Sequence, residues 1–301
     1  MSFLTKWLES MHVDMEITKI CSRKRNPRSS CSYCADACKL GAIRIGPQAI
    51  EINTDLCHDC GKCMISCPLS AIVGIPIGRN FENGSLDYNH EYSISEKELL
   101  IYKKKGMESI AAHGSSINEQ WKTAIEEANQ KLALMGHSPI QLLSIPDEEK
   151  LTRRELFSSF KKRGRQLTIE LSPAAWRIQS GEWTLTKHYS EYQFYTVQVE
   201  KEKCSICHAC FHFCTQNVFM LEAEALRIDS EKCVNCKDCT DICPESAIRI
   251  TPEIKKKSIC RIPVYYHICP RCNTEFPSFH KSEDECPICK ERDSDWLSPL
   301  V

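Results

Sequence analysis

Eight cysteines between residues 204 and 243 have the type and spacing needed to bind metal. They form two runs of the pattern C-x2-C-x2-C-x3-C, which are Cys204, Cys207, Cys210 and Cys214, and then Cys233, Cys236, Cys239 and Cys243. Thiolates are strong ligands for soft metal centres, and free buried cysteines have no reason to recur at fixed intervals. In a chain of 301 residues with 21 cysteines, this spacing predicts metal centres rather than a disulfide framework.

The double run resembles the two-cluster ferredoxins of bacteria, in which this spacing holds [4Fe–4S] clusters. In that family the fourth cysteine of each run ligates the cluster of the other run. The resemblance therefore implies two ligand sets, which are Cys204, Cys207, Cys210 with Cys243, and Cys233, Cys236, Cys239 with Cys214. It also implies low-potential, one-electron transfer. Thr215 stands where the family usually has proline, but this departure removes no ligand.

A second copy of the arrangement lies near the start of the chain. Its cysteines are Cys57, Cys60, Cys63 and Cys67, preceded by Cys21, Cys31, Cys34 and Cys38. The resemblance implies one cluster on Cys21, Cys31, Cys34 and Cys67, and another on Cys57, Cys60, Cys63 and Cys38. Nine residues separate Cys21 from Cys31, where ferredoxins normally leave two, and Lys39 replaces proline after Cys38. If Cys21 were not a ligand, its site would hold a three-iron cluster.

The nine-residue insertion is strongly basic, with Arg23, Lys24, Arg25 and Arg28. A cluster with four thiolates is anionic, so fixed positive charge nearby should favour its reduced form. The loop could therefore raise the potential of that cluster or bind an acidic partner. The alternative is a solvated basic loop with little energetic effect.

A different cysteine pattern follows near the end of the chain. Two C-x2-C pairs, separated by thirteen residues, are formed by Cys269, Cys272, Cys286 and Cys289. This spacing resembles zinc ribbons, in which four thiolates bind one structural zinc ion. Iron is the alternative, although rubredoxins, which hold one iron in similar pairs, have a longer separation. Cys260 is left over and is predicted to be buried as a small apolar residue.

One hairpin is predicted between the cysteine runs of each copy. In the first copy, apolar residues alternate at 42–45 and 49–52 on either side of Gly46 and Pro47. The second copy repeats the pattern at 218–221 and 225–228. This internal repeat supports a common fold for the two copies.

The middle of the chain has no cysteine between Cys67 and Cys204, and its pattern predicts a small α/β layer. A helix is expected at 95–105, a strand at 107–112 and another strand at 140–145. Ser116-x-x-Glu119 predicts a capping box that begins a second long helix, which Gly136 ends. The apolar residues of that helix recur at helical spacing and should be buried, namely Trp121, Ala124, Ile125, Ala128 and Leu132. A further, basic helix is expected at 152–166.

The sequence thus predicts an α+β fold in which two ferredoxin-like dicluster domains flank a small α/β layer, followed by a zinc ribbon. The expected domains are residues 13–78, 79–195, 196–253 and 254–301. The cofactors would be four [4Fe–4S] clusters and one zinc ion.

Function follows from these cofactors. We expect an electron-transfer protein without a catalytic site of its own, serving as a subunit of, or relay to, a cytoplasmic oxidoreductase such as a hydrogenase or formate dehydrogenase. The competing hypothesis is a redox sensor or a scaffold for the maturation of metal centres. A net charge of −1 gives no reason to expect nucleic acid as a partner. No transmembrane segment is expected, although the basic helix at 152–166 could dock on a membrane surface.

Overall fold

The computed structural model describes residues 15–46, 50–75, 77–114, 116–145 and 182–290. The described chain is a mixed α/β structure with several small sheets rather than one large sheet. No helix in these ranges is long and apolar enough to cross a membrane. The basic helix expected at 152–166 lies outside the described residues, so its surface stays a prediction.

The first cysteine-rich segment consists of short elements. Its helices are α1 (Ser22–Arg25), α2 (Tyr33–Ala37) and α3 (Lys62–Ser66), and its strands are β1 (Glu16–Ile17), β2 (Ile43–Ile45), β3 (Ile50–Ile52) and β4 (Ile72–Val73). Strands β2 and β3 pair antiparallel, with Ile43 opposite Ile52, as the apolar alternation predicts. Strands β1 and β4 also pair antiparallel, which brings the two ends of the segment together.

The middle segment contains one four-stranded sheet. Its helices are α4 (Glu96–Lys104), α5 (Glu119–Leu134) and α6 (Leu185–His188), and its strands are β5 (Phe81–Glu82), β6 (Ser85–Asp87), β7 (Ser109–His113) and β8 (Gln141–Ile145). The strand order is β5-β6-β7-β8, with β6, β7 and β8 mutually parallel and β5 antiparallel to β6. The predicted helix–strand–helix–strand order is confirmed, because α4, β7, α5 and β8 follow one another along the chain.

Helix α5 begins two residues later than the predicted capping box requires. Its N-cap is Asn118, whose side chain accepts a hydrogen bond from the backbone N–H of Trp121 at 3.0 Å. The prediction of a capping box at Ser116 is therefore wrong. The side-chain oxygen of Asn118 accepts the hydrogen bond of the free N–H group in the first turn. The predicted stop is confirmed. Gly136 has φ +69°, and the amides of Gly136 and His137 bond back to Ala133 and Leu132 in a Schellman motif.

The buried core of the first segment continues into the middle layer. Ile65 and Ile72 of the first segment share one apolar cluster with Leu99 on α4 and Trp121 on α5. The predicted buried stripe of α5 is confirmed in full, since all five of its apolar residues are buried. Lys97 on α4 adds a polar link, because its ammonium donates to the carbonyls of Ile65 and Cys67, at 2.6 and 3.3 Å. The middle layer thus supports the end of α3, where Cys67 lies.

The second cysteine-rich segment repeats the plan of the first with longer strands. Its elements are β9 (Tyr192–Val199), α7 (Ala209–Phe213), β10 (Phe219–Leu221), β11 (Ala225–Asp229), α8 (Asp238–Ile242), β12 (Ile248–Lys256) and β13 (Ile259–Pro263). Strands β9 and β12 pair antiparallel along most of their length. Strands β10 and β11 form the predicted hairpin, which β13 extends to a three-stranded sheet.

The last described segment is a small hairpin followed by one helical turn. Strands β14 (Tyr265–Ile268) and β15 (Glu275–Ser278) pair antiparallel, and α9 (Pro287–Lys290) follows. The prediction for Cys260 is wrong, because this residue is exposed on β13. Strand β13 lies at the edge of its sheet, and Ile262 is the residue of this strand that is buried.

Candidate metal centres

The first candidate centre is a cavity at which the short helices of the first segment meet. Its predicted ligands all line this cavity, namely Cys21, Cys31, Cys34 and Cys67. Cys21 precedes α1, Cys34 lies on α2, and Cys67 ends α3. The rest of the wall is largely apolar and includes Ile17 and Ile72. The nine-residue insertion therefore does not separate Cys21 from the other three cysteines.

The third and fourth predicted sets also line one cavity each. Cys204, Cys207, Cys210 and Cys243 surround the first of these, and Cys214, Cys233, Cys236 and Cys239 surround the second. Phe219 of β10 contributes to both walls, so the two cavities are neighbours. The structure thus brings each of these predicted sets together, including the crossed fourth cysteines.

The remaining set is more open. Cys60 is exposed and Cys57 is half-buried, whereas Cys63 is buried on α3. Burial, together with the neighbouring thiolates of Cys60, Cys34 and Cys57, raises the pKa of Cys63 to about 12. These three cysteines of the run therefore lie close together. Cys38 ends α2 and packs against the same core as Cys63, and its membership of this set stays a prediction.

A repeated backbone feature makes Cys38 equivalent to the other crossed cysteines. Each of the four ends a short helix, and the third residue after each has a positive φ, at Gly41, Ser70, Asn217 and Ser246. Three of these sulfurs also accept a hydrogen bond from the backbone N–H of the residue four positions later. The N···S distance is 3.2 Å for Cys67, 3.5 Å for Cys214 and 3.3 Å for Cys243. Such N–H donors stabilise charge on a ligating sulfur.

A second backbone repeat lies within the loops that carry three cysteines. In three of the runs, the residues directly before and after the second cysteine have positive φ, namely Asp59 and Gly61, Ile206 and His208, and Asn235 and Lys237. These turns wrap the loop around one side of the site. Sequence reasoning missed them, because five of the six positions are not glycine, and only Gly61 gave a signal.

The donor sets fit iron–sulfur clusters. Four thiols around one largely apolar cavity are the ligand set that such clusters require. Burial raises the pKa of Cys233 to about 11 and that of Cys210 and Cys236 to about 12. Thiolates in these positions need a compensating positive charge, which bound iron would supply.

The C-terminal cysteines form a tighter group suited to a single ion. The Sγ atoms of Cys269, Cys272, Cys286 and Cys289 all lie within 4.8 Å of one another. Cys272 Sγ and Cys286 Sγ are 3.8 Å apart, and a tetrahedral ion with Zn–S bonds of ~2.3 Å places its sulfurs ~3.8 Å apart. Backbone N–H bonds, first among them that from Cys286, lower the pKa of Cys269 to about 6. The group therefore fits a tetrahedral metal ion.

The histidines among the cysteines have different environments. His208 lines the cavity of the Cys204 set and packs against Phe211, with ring centroids 5.1 Å apart. Its Nε2 is buried without a hydrogen-bond partner among the described residues. His212 is exposed. Neither replaces a thiol in the predicted ligand sets.

Three of the four basic side chains of the insertion bind the chain itself, whereas Arg28 is exposed. The side chains of Arg23 and Lys24 donate to the carbonyls of Cys31 and Ile17. Arg25 forms an ion pair with Asp238 on α8 of the second segment. Asp238 also lies 3.7 Å from the sulfur of Cys236. The acidic group that the loop binds therefore belongs to this same chain.

Comparison with known proteins supports these sites at two places. A family described as a 4Fe-4S binding domain matches residues 49–75 and 226–248. These matches contain the runs from Cys57 to Cys67 and from Cys233 to Cys243, which are the two runs followed by proline. A ferredoxin from Alicyclobacillus acidocaldarius subsp. acidocaldarius is 44% identical over 39 residues.

The ferredoxin match is short on both sides. It covers 13% of this chain and 50% of that protein, so the chain spans about half the length of this curated relative. The departures from the family pattern, at Lys39 and Thr215, lie outside both domain matches. The chain therefore contains ferredoxin-like 4Fe-4S binding sequence in both of its cysteine-rich segments.

Proposed function

We propose that this chain is an electron-transfer protein that carries four [4Fe–4S] clusters. The observation that supports it most directly is that three of the four crossed cysteine sets each line a single cavity. The fourth set has the same helix end and the same positive-φ residue after its crossed cysteine. The ligands would be the four sets described above, with Cys21 included.

The protein's part in this function is to hold and tune the centres. A bound [4Fe–4S] cluster supplies reversible one-electron transfer. The short helices fix the cysteines, and the N–H groups of Ala71, Val218 and Ala247 stabilise charge on three of the sulfurs. Apolar walls around the cavities exclude water, which keeps the reorganisation of the surroundings small when the charge changes.

The C-terminal cysteines would bind one structural zinc ion. All four donors are thiols, so no position is left for a substrate or a catalytic water. The segment is too small to build a large core, and its buried cluster consists of Phe276 with three of the cysteines. Metal binding would therefore supply much of the free energy that folds it. The hairpin β14–β15 would serve to dock another protein.

Substrate chemistry would belong to a partner. We propose that the chain is a subunit of, or relay to, a cytoplasmic oxidoreductase of the hydrogenase or formate dehydrogenase type. All 21 cysteines are free of disulfides, which suits a reducing compartment. The exposed cysteines Cys60 and Cys207 lie in two of the proposed centres and mark where a redox partner could approach.

Metal analysis of anaerobically purified protein tests this proposal. We expect about 16 iron ions, about 16 inorganic sulfides and about one zinc ion per chain. Low-temperature EPR should show reversible reduction, and a flavoprotein reductase should drive cytochrome c reduction through the protein. Colourless protein, or zinc with almost no sulfide, would overturn the proposal. Clusters that resist reduction would exclude the relay and favour a scaffold.

A further inference from the structure

The insertion between Cys21 and Cys31 makes a specific contact with the second cysteine-rich segment. Residues 22–33 bind residues 233–241, and we call this contact the junction. Four hydrogen bonds in it involve backbone groups of the two segments, namely Ser22 Oγ to the Cys236 carbonyl (3.4 Å), Asn26 Nδ2 to the Asp238 carbonyl (3.4 Å), the Ser30 N–H to Asp241 Oδ2 (2.6 Å) and Tyr33 Oη to the Asn235 carbonyl (3.2 Å). These partners are more than 200 residues apart in sequence.

An ion pair lies at the centre of the junction. The guanidinium of Arg25 binds the carboxylate of Asp238, whose side chain is fully buried. A second nitrogen of Arg25 donates to the carbonyl of Phe213 at 3.0 Å. Removal of Arg25 would leave a buried carboxylate without its counter-ion, which is costly. The pair therefore holds the two segments in one arrangement.

Tyr33 lies between two of the candidate centres. It stands between Cys31 and Cys34 in sequence, and its ring lines the cavity of the Cys21 set. Its hydroxyl donates to the carbonyl of Asn235 and accepts a bond from the Asn235 amide at 3.0 Å. Asn235 lies between Cys233 and Cys236. One side chain thus touches the loops that carry both sets of thiols.

Packing also brings the same two sets of cysteines together. Cys21 and Cys34 of one set and Cys236 of the other belong to a single buried cluster. The cluster also contains Cys63 of the Cys57 set. However, the Cys57 and Cys204 sets reach the surface at Cys60 and Cys207, whereas no cysteine of the first two sets is exposed. The two sets that meet at the junction are therefore the inner ones, and the other two are the outer ones.

We propose that the junction joins the two halves into one electron path, with direct exchange between the centre of Cys21, Cys31, Cys34 and Cys67 and the centre of Cys214, Cys233, Cys236 and Cys239. This inference rests on the proposed four-cluster function. The exchange moves one electron, so one cluster is oxidised as the other is reduced, and no bond or proton changes. Electrons would enter at one outer centre and leave at the other.

The test uses charge reversal in the anaerobic full-length protein. Arg25→Glu places a carboxylate beside Asp238 and should open the junction. Arg28→Glu is the matched control, because Arg28 is in the same loop, carries the same charge and is exposed. Arg25→Glu with Asp238→Arg restores a pair of opposite charges and should close the junction again.

The readout is magnetic rather than enzymatic. In the fully reduced protein, neighbouring paramagnetic clusters broaden one another's EPR signals and speed their relaxation. We expect wild type and Arg28→Glu to share one spectrum, and the double charge swap to recover the broadening that crosses the junction. The spectrum of Arg25→Glu should lose the broadening that arises across the junction. It should then resemble the spectrum of two independent cluster pairs. The amides of this variant at 233–241 should also exchange hydrogen faster.

Iron content separates the two levels of the proposal. Fewer than four clusters in wild type would overturn the proposed function itself. Four clusters in every variant, with identical EPR spectra in wild type and in Arg25→Glu/Tyr33→Phe although the amides at 233–241 exchange faster, would overturn the electron path alone. Tyr33→Phe is added because it removes the hydroxyl that binds Asn235 and so opens the junction further.

Discussion

The runs from Cys57 to Cys67 and from Cys233 to Cys243 have the same spacing and the same following proline, yet their surroundings differ. In the second run the first three cysteines are buried, whereas in the first run the middle one, Cys60, is exposed. The difference comes from a neighbour. Residues 22–33 cover the second run, with Arg25 bound to Asp238.

This comparison separates what spacing decides from what packing decides. Spacing selects the ligand type and lets the loop wrap around a centre. Exposure, nearby charge and access for a partner depend on which segment packs on the loop, and these properties tune a redox centre. Two identical motifs in one chain can therefore have different roles, with an outer, accessible proposed centre at Cys57, Cys60 and Cys63 and an inner one at Cys233, Cys236 and Cys239.

The largest expected effect comes from removal of equivalent proposed ligands, in Cys60→Ala and Cys236→Ala. Each should lose one cluster, which is about four of about 16 iron ions per chain. Only Cys236→Ala should also loosen the junction, so its Tm should be lower than that of Cys60→Ala by about 4 °C, or about 2 kcal/mol. Iron analysis and thermal unfolding under anaerobic conditions measure both quantities.

Cys260→Ala is the control for this pair. Cys260 is exposed and belongs to none of the predicted sets, so its replacement should leave iron content and Tm unchanged. Equal Tm values for Cys60→Ala and Cys236→Ala would contradict the distinction between an outer and an inner centre. Loss of iron in Cys260→Ala would show that the ligand sets are assigned wrongly.

Local features of this molecule could be predicted from the sequence. The hairpins, the middle helices and strands, and the buried stripe of α5 depend on periodicity and turn residues within a short window. The cysteine sets were accessible because a resemblance supplied the crossed pairing. The start of α5 was missed because Ser116 and Asn118 are both good N-cap residues, and periodicity alone does not choose between them.

The junction could not be predicted from the sequence in the same way. The basic residues of the insertion suggested an acidic partner, but nothing in the sequence identifies Asp238, which is 213 residues from Arg25. Positive φ angles at Ile206 or Lys237 were also hidden, because such residues adopt this backbone only when the surrounding loop imposes it. Cys260 was missed because exposure on an edge strand depends on sheet order.

A smaller effect is expected from the two aspartates beside the runs. Asp59 Oδ1 lies 3.6 Å from Cys57 Sγ, and Asp238 Oδ2 lies 3.7 Å from Cys236 Sγ. Asp59 is exposed and Asp238 is buried. Loss of a negative charge should raise the potential of the neighbouring centre, by on the order of 60 mV for Asp238→Asn and less than about 20 mV for Asp59→Asn, because water and salt screen the exposed charge.

Redox titration followed by EPR measures these shifts. Raising the salt concentration should reduce the shift in Asp59→Asn and leave that in Asp238→Asn nearly unchanged. Equal shifts in the two variants would mean that burial under residues 22–33 does not insulate the second run.

The smallest effect concerns the backbone of the same two loops, at the equivalent residues Gly61 and Lys237. Gly61 has φ +72°, and a Cβ there would lie 2.5 Å from the side chain of Ile77. Gly61→Ala should therefore destabilise the protein by about 1–2 kcal/mol, from left-handed strain and the close contact. Lys237 already tolerates φ +67° with a Cβ. Lys237→Ala should cost less than about 1 kcal/mol, mainly from the lost contact with the Tyr33 ring.

Denaturant unfolding of the cluster-loaded variants measures this difference, with iron content as the check that each variant is intact. A loss of stability confined to Gly61→Ala would mean that the two loops follow the same backbone path but accommodate its left-handed residue in different ways. The first loop does so with glycine, and the second does so through contacts that residues 22–33 provide. If Lys237→Ala cost as much as Gly61→Ala, the contact between Lys237 and Tyr33 would be a larger part of the junction than the ion pair at Arg25 implies.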